Sequence, residues 1–76
     1  MLTLDQEQAL LVKAEQDIAA GQKRDSAQEL RIREMRFKGR DTRRAEGLLA
    51  TLQTTLAQWY AHRQEILRAI HRLESS

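Results

Sequence analysis

Two histidines, eleven carboxylates and thirteen basic residues are the side chains in this 76-residue sequence that could perform chemistry, and there is no cysteine. His62 and His71 are nine residues apart, whereas two imidazoles that bind one metal from a single helix face stand four apart. No Glu-x-x-His motif accompanies them, and the glycines Gly21, Gly39 and Gly47 are isolated rather than gathered in a phosphate-binding loop. The sequence therefore predicts no catalytic residue, no metal and no cofactor, and we expect a protein that is not an enzyme.

A cluster of basic residues in the middle of the chain stands out. Between positions 31 and 44, seven cations stand against Glu34 and Asp41, for a net charge of +5, while residues 1–22 hold Lys13 against four carboxylates, for a net charge of −3. The cluster predicts contact with nucleic-acid phosphates or with an acidic protein surface, without reading of base sequence. Its members are Arg31, Arg33, Arg36, Lys38, Arg40, Arg43 and Arg44.

The same charges also fit an ordinary solvated helix surface. Glu29 with Arg33, and Glu34 with Lys38, have the four-residue spacing of ion pairs on a helix. Basic residues near a helix C-terminus also offset the helix dipole. On sequence alone both interpretations stay open.

Helical periodicity is the dominant pattern in the sequence, and the helices that it predicts must position these charges. From Leu4, steps of three and four residues reach apolar positions near both ends of a first helix, but Asp25 and Gln28 in its middle. From Ala45 the same steps follow an apolar stripe that only Arg63 interrupts. The candidate seam and dimer residues are Leu11, Ile18, Ile32, Leu49, Leu52, Leu56, Trp59, Ile66, Ile70 and Leu73.

The residues between the two stripes predict a tight turn. Gly39 suits the left-handed position after a helix, and Asp41 can accept amide hydrogen bonds at the next helix start, as Thr3 or Asp5 can at the first. We therefore expect an all-α fold, with residues 1–76 forming one helical-hairpin domain. Its parts are a helix at about 4–38, a turn at 39–41 and an antiparallel helix at about 42–74.

An alternative divides the first helix. Gly21–Asp25 could separate two shorter helices, because Ser26-Ala27-Gln28-Glu29 has the Ser-x-x-Glu form of a capping box, and the fold would then be a three-helix bundle. Ile32, however, stays in phase with Leu11 across the supposed loop, which favours one continuous helix.

Counting residues outward from the turn gives the expected register of the hairpin. It sets Gly21 level with Trp59, a small residue facing a large one, and separates Asp25 from Arg63 by roughly 12 Å along the axis. An acidic residue in an apolar seam is costly unless it is paired or hydrated. We therefore expect Asp25 either to reach solvent or to pair with Arg63 of a second chain.

The turn and the second helix resemble a known group of proteins. The residues that carry the resemblance are Gly39-Arg40-Asp41-Thr42 and the run to Leu52, then Thr55-Leu56 and His62-Arg63-x-x-Ile66-Leu67, and more loosely Ala14-Glu15-x-x-Ile18-Ala19-x-Gly21. The chain is similar here to small uncharacterised proteobacterial proteins built as a helix, a Gly-(His/Arg)-Asp-Thr turn and a helix. The resemblance implies the hairpin and no assigned activity. Members of the group tend to carry an aliphatic residue in place of Asp25 and often an acidic residue in place of Arg44.

Length and composition favour association. A small core without cysteine gains no disulfide, and several apolar side chains outside the seam widen each helix face. These are Leu10, Val12, Leu30, Phe37, Leu48, Tyr60 and Leu67. We expect a homodimer that forms a four-helix bundle and acts as an interaction or adapter protein, or alternatively an accessory protein that binds nucleic-acid phosphates with the basic turn.

Because long apolar stretches and a signal-peptide pattern are lacking, we expect a cytoplasmic protein with no membrane contact and no small-molecule substrate.

Overall fold

A computed structural model describes residues 1–75, which form two helices and no strand. Helix α1 is Leu4–Phe37 and helix α2 is Arg43–Ser75. The helices pack along one another, and the side-chain contacts of Arg36 with Glu46 and of Gln22 with Tyr60 show that they run antiparallel. The prediction of an all-helical hairpin is confirmed, and each helix begins and ends within one residue of the expected position.

The start of α1 is fixed by a reciprocal cap. The Gln6 backbone N–H donates to Thr3 Oγ1 over 3.2 Å, and the Thr3 N–H donates to Gln6 Oε1 over 2.9 Å. This arrangement satisfies two amide groups that the helix itself leaves without partners. Of the two caps that the sequence offers, Thr3 rather than Asp5 fills the position.

The turn between the helices follows from Gly39. Its φ of +70° is in the left-handed region, where a Cβ atom would be strained. The Arg40 N–H donates to the Met35 carbonyl over 2.9 Å, and the Gly39 N–H donates to the Arg36 carbonyl over 3.0 Å. These are the two bonds of a Schellman motif, which ends α1 and reverses the chain.

Helix α1 is continuous through Gly21, so the alternative with a break at Gly21–Asp25 is wrong. Ser26 is an exposed residue within the helix and caps nothing. Ile18 and Ile32 are both buried, as the uninterrupted phase requires. The burial of one continuous stripe against α2 therefore outweighs the local cost of a glycine in a helix, which is about 1 kcal/mol.

The core is a thin strip along the seam. Ala14, Ile66 and Ile70 form its main cluster near the open end of the hairpin, with Leu4 and Leu11 packed against it. All ten candidate seam residues are buried or half-buried. No large side chain among the described residues is fully buried, however, so one hairpin covers its apolar residues only in part.

The expected contact of Gly21 with Trp59 is wrong. A Cβ atom added at Gly21 would lie 3.0 Å from Leu56 Cδ1 and would meet no atom of Trp59 within 4 Å. Side chains of packed helices interdigitate, so the residue that fills the space beside a glycine can lie a turn away from the residue at the same level. Leu56 occupies that space.

Two polar residues are buried in the seam. The Gln28 Nε2 atom donates to the Ala45 carbonyl over 2.9 Å, so this amide is satisfied across the helices. Glu7 is also buried, although it is not among the predicted seam residues. Glu7 lies one three-residue step after Leu4, on the same face of α1.

The molecule is a rod of 59 × 15 × 14 Å between Cα atoms, with a radius of gyration of 17.2 Å. A compact chain of this length would have a radius of gyration of about 11 Å. Within residues 1–75, neither helix combines the length with the hydropathy needed to cross a membrane. The long sides of the rod therefore dominate the surface of the protein.

Candidate functional site

The turn brings cations from both helices together. Arg31, Arg44 and Leu48 line a depression of about 390 Å³. Arg31, Lys38 and Arg40 line a second depression of about 250 Å³, and Met35 borders both. Four of the seven predicted cations thus lie around two adjoining depressions, and we call Arg31, Lys38, Arg40 and Arg44 the basic tip.

The other three predicted cations are placed differently. Arg36 forms an ion pair with Glu46 across the two helices. Arg43 holds Asp41 with two side-chain nitrogens, Nε at 3.1 Å and Nη2 at 2.8 Å. Arg33 forms no ion pair within residues 1–75. Arg36 therefore links the two helices, Arg43 acts locally at the start of α2, and the charge of both cations is largely compensated.

The ion pairs expected within α1 do not form. Neither Glu29 with Arg33 nor Glu34 with Lys38 is joined by an ion pair in the described part of the chain. Glu34 instead borders the depression that contains Lys38. The charge of the basic tip is thus less compensated than the four-residue spacing suggested.

Asp41 is the carboxylate most strongly fixed at the turn. The Arg43 guanidinium, and after it the Arg43 backbone N–H at 3.0 Å, hold the pKa of Asp41 below its ordinary value. The same contact raises the pKa of Arg43. Asp41 therefore stays ionised at the start of α2, where the helix dipole favours a negative charge.

The basic tip is an exposed cluster of four cations. Its four guanidinium and ammonium groups are exposed on long side chains around shallow depressions. Such groups can reach successive phosphates of a nucleic-acid backbone. Reading bases needs a helix or strand laid in a groove, and a helical turn does not supply one.

Asp25 and Arg63 remain apart within the hairpin. Both are half-buried, and Asp25 Oδ1 and Arg63 Nε are buried atoms without a hydrogen-bond partner. No ion pair joins the two residues in the described chain, as their expected separation along the axis requires. The Arg63 guanidinium carbon instead lies 5.6 Å from the centre of the Tyr60 ring.

The histidines are surface residues. The ring of His62 meets Trp59 edge to face, with centroids 5.7 Å apart, and both border a shallow depression with Thr55 and Gln58. His71 lies elsewhere on α2, beside Leu67. Within residues 1–75, no three histidine or acidic side chains come together in a group that could hold a metal ion.

The apolar side chains outside the seam are mostly exposed. Six of the seven expected ones are exposed, among them Phe37 at 92%, Val12 at 58%, and Leu30 and Leu48 at 51% each. Tyr60 is the exception, because it is half-buried and its hydroxyl accepts a hydrogen bond of 2.8 Å from Gln22 Nε2. The rod thus offers apolar surface beside its seam.

Comparison with protein-family models, with curated proteins and with solved structures finds no match to the chain. The resemblance to proteobacterial hairpin proteins therefore stays a prediction.

Proposed function

We propose that the chain is a non-enzymatic interaction protein that acts as a homodimer. In this proposal a second hairpin covers exposed apolar residues beside the seam and completes a four-helix bundle. The proposal rests on how little the hairpin buries: no large side chain of the described residues is fully buried, while Leu10 and Leu48 are exposed beside the seam.

The exposed area supports the same proposal. The chain exposes 5938 Å². A compact monomer of 8.8 kDa would expose about 4,800 Å², so the excess is about 1,100 Å². A standard protein interface covers about 800 Å² on each partner. The excess is thus enough for one stable interface with a second copy, and the lack of cysteine fits a cytoplasmic protein.

Thermal unfolding followed over about a hundredfold range of protein concentration tests the homodimer. Because association is linked to folding, the melting temperature should rise with concentration. A melting temperature that stays constant over this range would contradict the proposal.

A second function, binding of polyanions, is favoured by the basic tip. Arg31, Lys38, Arg40 and Arg44 form no ion pair within residues 1–75. If each contacts one phosphate, the affinity for duplex DNA should fall with salt at a log–log slope of about −3.6, without sequence preference.

A fluorescence titration with duplex DNA at several salt concentrations measures this slope. Changing the four tip residues to Gln should abolish binding. The matched control changes Lys23, Arg33, Arg68 and Arg72 to Gln, which removes the same charge from exposed residues that form no ion pair in the described chain. No binding at about 50 mM salt, or equal loss in both variants, would contradict a role of the tip.

A further inference from the structure

One side of the hairpin is closed by polar contacts. Gln22 with Tyr60, and Arg36 with Glu46, join the side chains of α1 and α2 there. They are the only hydrogen bonds between side chains of the two helices in residues 1–75. The opposite side of the seam has no such link and is more open.

A stripe of α2 residues marks this open side. Its members stand seven residues apart and border three depressions in a line from the tip to the open end. Trp59 is half-buried in the middle depression. The stripe consists of Leu48, Thr55, His62 and Ala69.

Helix α1 contributes a matching stripe. Arg31 lines the same depression as Leu48, and seven-residue steps back from Arg31 reach Arg24, Asp17 and Leu10. We call the surface formed by the α1 and α2 stripes, with Trp59 between them, the Trp59 face.

From the bounds of the helices, the midpoint of α1 lies between residues 20 and 21, and the midpoint of α2 is at residue 59.

The two ends of the rod carry opposite charge. Residues 31–46 at the tip hold seven cations against three carboxylates, a net charge of +4. Residues 1–22 and 60–75 at the open end hold four cations against six carboxylates, a net charge of −2. Two copies packed in the same direction would place the +4 ends within a Debye length of about 8 Å. Packing in opposite directions sets each positive end against a negative one.

We propose that two copies pack through their Trp59 faces in opposite directions, an inference that rests on the homodimer proposed above. The two-fold axis then lies across the rods, so that each helix packs against its own counterpart. The axis maps each helix midpoint onto itself. Asp17 therefore lies opposite Arg24 of the partner subunit, and Trp59 lies opposite Trp59 of the partner subunit.

The state of Asp17 supports this arrangement. Its Oδ1 atom accepts a hydrogen bond of 2.9 Å from Lys13 Nζ, whereas its Oδ2 atom is buried without a partner. Arg24 is exposed and forms no ion pair within residues 1–75. The guanidinium of the partner's Arg24 supplies the missing donor, and symmetry makes this contact twice.

The Trp59 faces leave the other two buried polar atoms without partners, those of Asp25 and Arg63, unchanged. The Arg63 guanidinium lies 5.6 Å from the Tyr60 ring, on the side of the seam that the contact of Gln22 with Tyr60 closes.

Charge reversal tests the facing pair. Asp17→Arg and Arg24→Asp should each raise the dimer dissociation constant at least about 10-fold, since each places like charges together. The double variant should return to within about 3-fold of the wild-type constant. Lys23→Asp is the control for Arg24→Asp, because it makes the same change of charge on an exposed neighbour outside the Trp59 face. Additive losses in the double variant would overturn the pairing.

Spin-label distances test the direction. The chain has no cysteine, so Lys38→Cys gives one labelled site at the tip of each copy. If the two copies run in opposite directions, the two labels should be about 50 Å apart. Each label lies about 17 residues from the midpoint of α1, on opposite sides of the two-fold axis, at a rise of about 1.5 Å per residue. A dimer with a label separation below about 30 Å would overturn the inference and leave the homodimer intact. A monomer of 8.8 kDa, in which no distance between two labels is measured, would overturn both the inference and the homodimer.

Discussion

At the scale of single residues, the effect of adding a side chain at Gly21 depends on two opposing terms, the gain in helix propensity and the cost of crowding a neighbour. A Cβ atom there would approach Leu56 Cδ1 to 3.0 Å, whereas a Cβ atom at Gly47 would meet nothing within 4 Å. Gly47→Ala should therefore stabilise the protein by about 1 kcal/mol through propensity alone. Gly21→Ala should gain less, because the Leu56 side chain must shift, and Gly21→Leu should destabilise by about 1–3 kcal/mol.

Urea unfolding of the three variants measures these differences in the free energy of unfolding. The comparison of Gly21→Ala with Gly47→Ala isolates the contact with Leu56, since both changes add the same methyl group to a helix. A stabilising Gly21→Leu would show that the space beside Gly21 is open.

Some residue roles could be predicted from the sequence and others could not. Thr3, Gly39 and Asp41 act through backbone groups within a few residues, so local sequence determines their roles. The contact of Gly21 with Leu56 depends on how two distant stripes interdigitate, which local spacing does not specify. The burial of Glu7 is not predictable from its residue type, because a carboxylate is normally excluded from an apolar seam.

At the scale of the helices, the start of α2 should depend on pH through Asp41. Its pKa in the folded chain lies below the ordinary value of 3.8, so the ionised form favours the folded state. The stabilisation is fully present above the ordinary value and is lost as the pH falls through the lowered value. Arg43→Gln should raise the pKa of Asp41, because the guanidinium is the main cause of the shift.

NMR titration of the Asp41 carboxyl carbon in both proteins checks this prediction. In the variant the pKa should rise but stay below the ordinary value, since the backbone N–H of residue 43 still donates to Asp41. A wild-type pKa at or above 3.8 would contradict the role assigned to Arg43.

The helices themselves were predictable because periodicity and end signals agree along the sequence. Both helices follow three- and four-residue steps, and residues at both ends of α1 and at the start of α2 satisfy backbone groups. The placement of the seven cations was less predictable. Arg36 forms an ion pair with Glu46 on the other helix, and predicting that contact requires knowledge of the register between the helices.

At the scale of the whole molecule, the proposed dimer separates its two basic tips. Copies that run in opposite directions place the tips at opposite ends of a four-helix rod, about 50 Å apart. Arg31 belongs to both surfaces, whereas Lys38 and Arg40 lie outside the Trp59 face and stay exposed in the dimer. Changing Lys38 and Arg40 to Gln should therefore weaken polyanion binding and leave dimerisation intact.

Two equally exposed leucines allow the loss of a dimer contact to be compared with the loss of an apolar side chain elsewhere on the surface. Leu48 lies on the Trp59 face and Leu30 lies away from it on α1, and each is 51% exposed. Leu48→Gln should weaken the dimer at least several-fold, because it removes apolar contact from the interface. Leu30→Gln should leave the dissociation constant unchanged. Analytical ultracentrifugation of both variants distinguishes them, and equal effects would place the interface elsewhere.

The measurement that tests the central claim most directly is the mass of the wild-type protein by sedimentation equilibrium over a range of concentrations. The account predicts a mass that approaches twice 8.8 kDa as the concentration rises. A mass of 8.8 kDa at every concentration would contradict it.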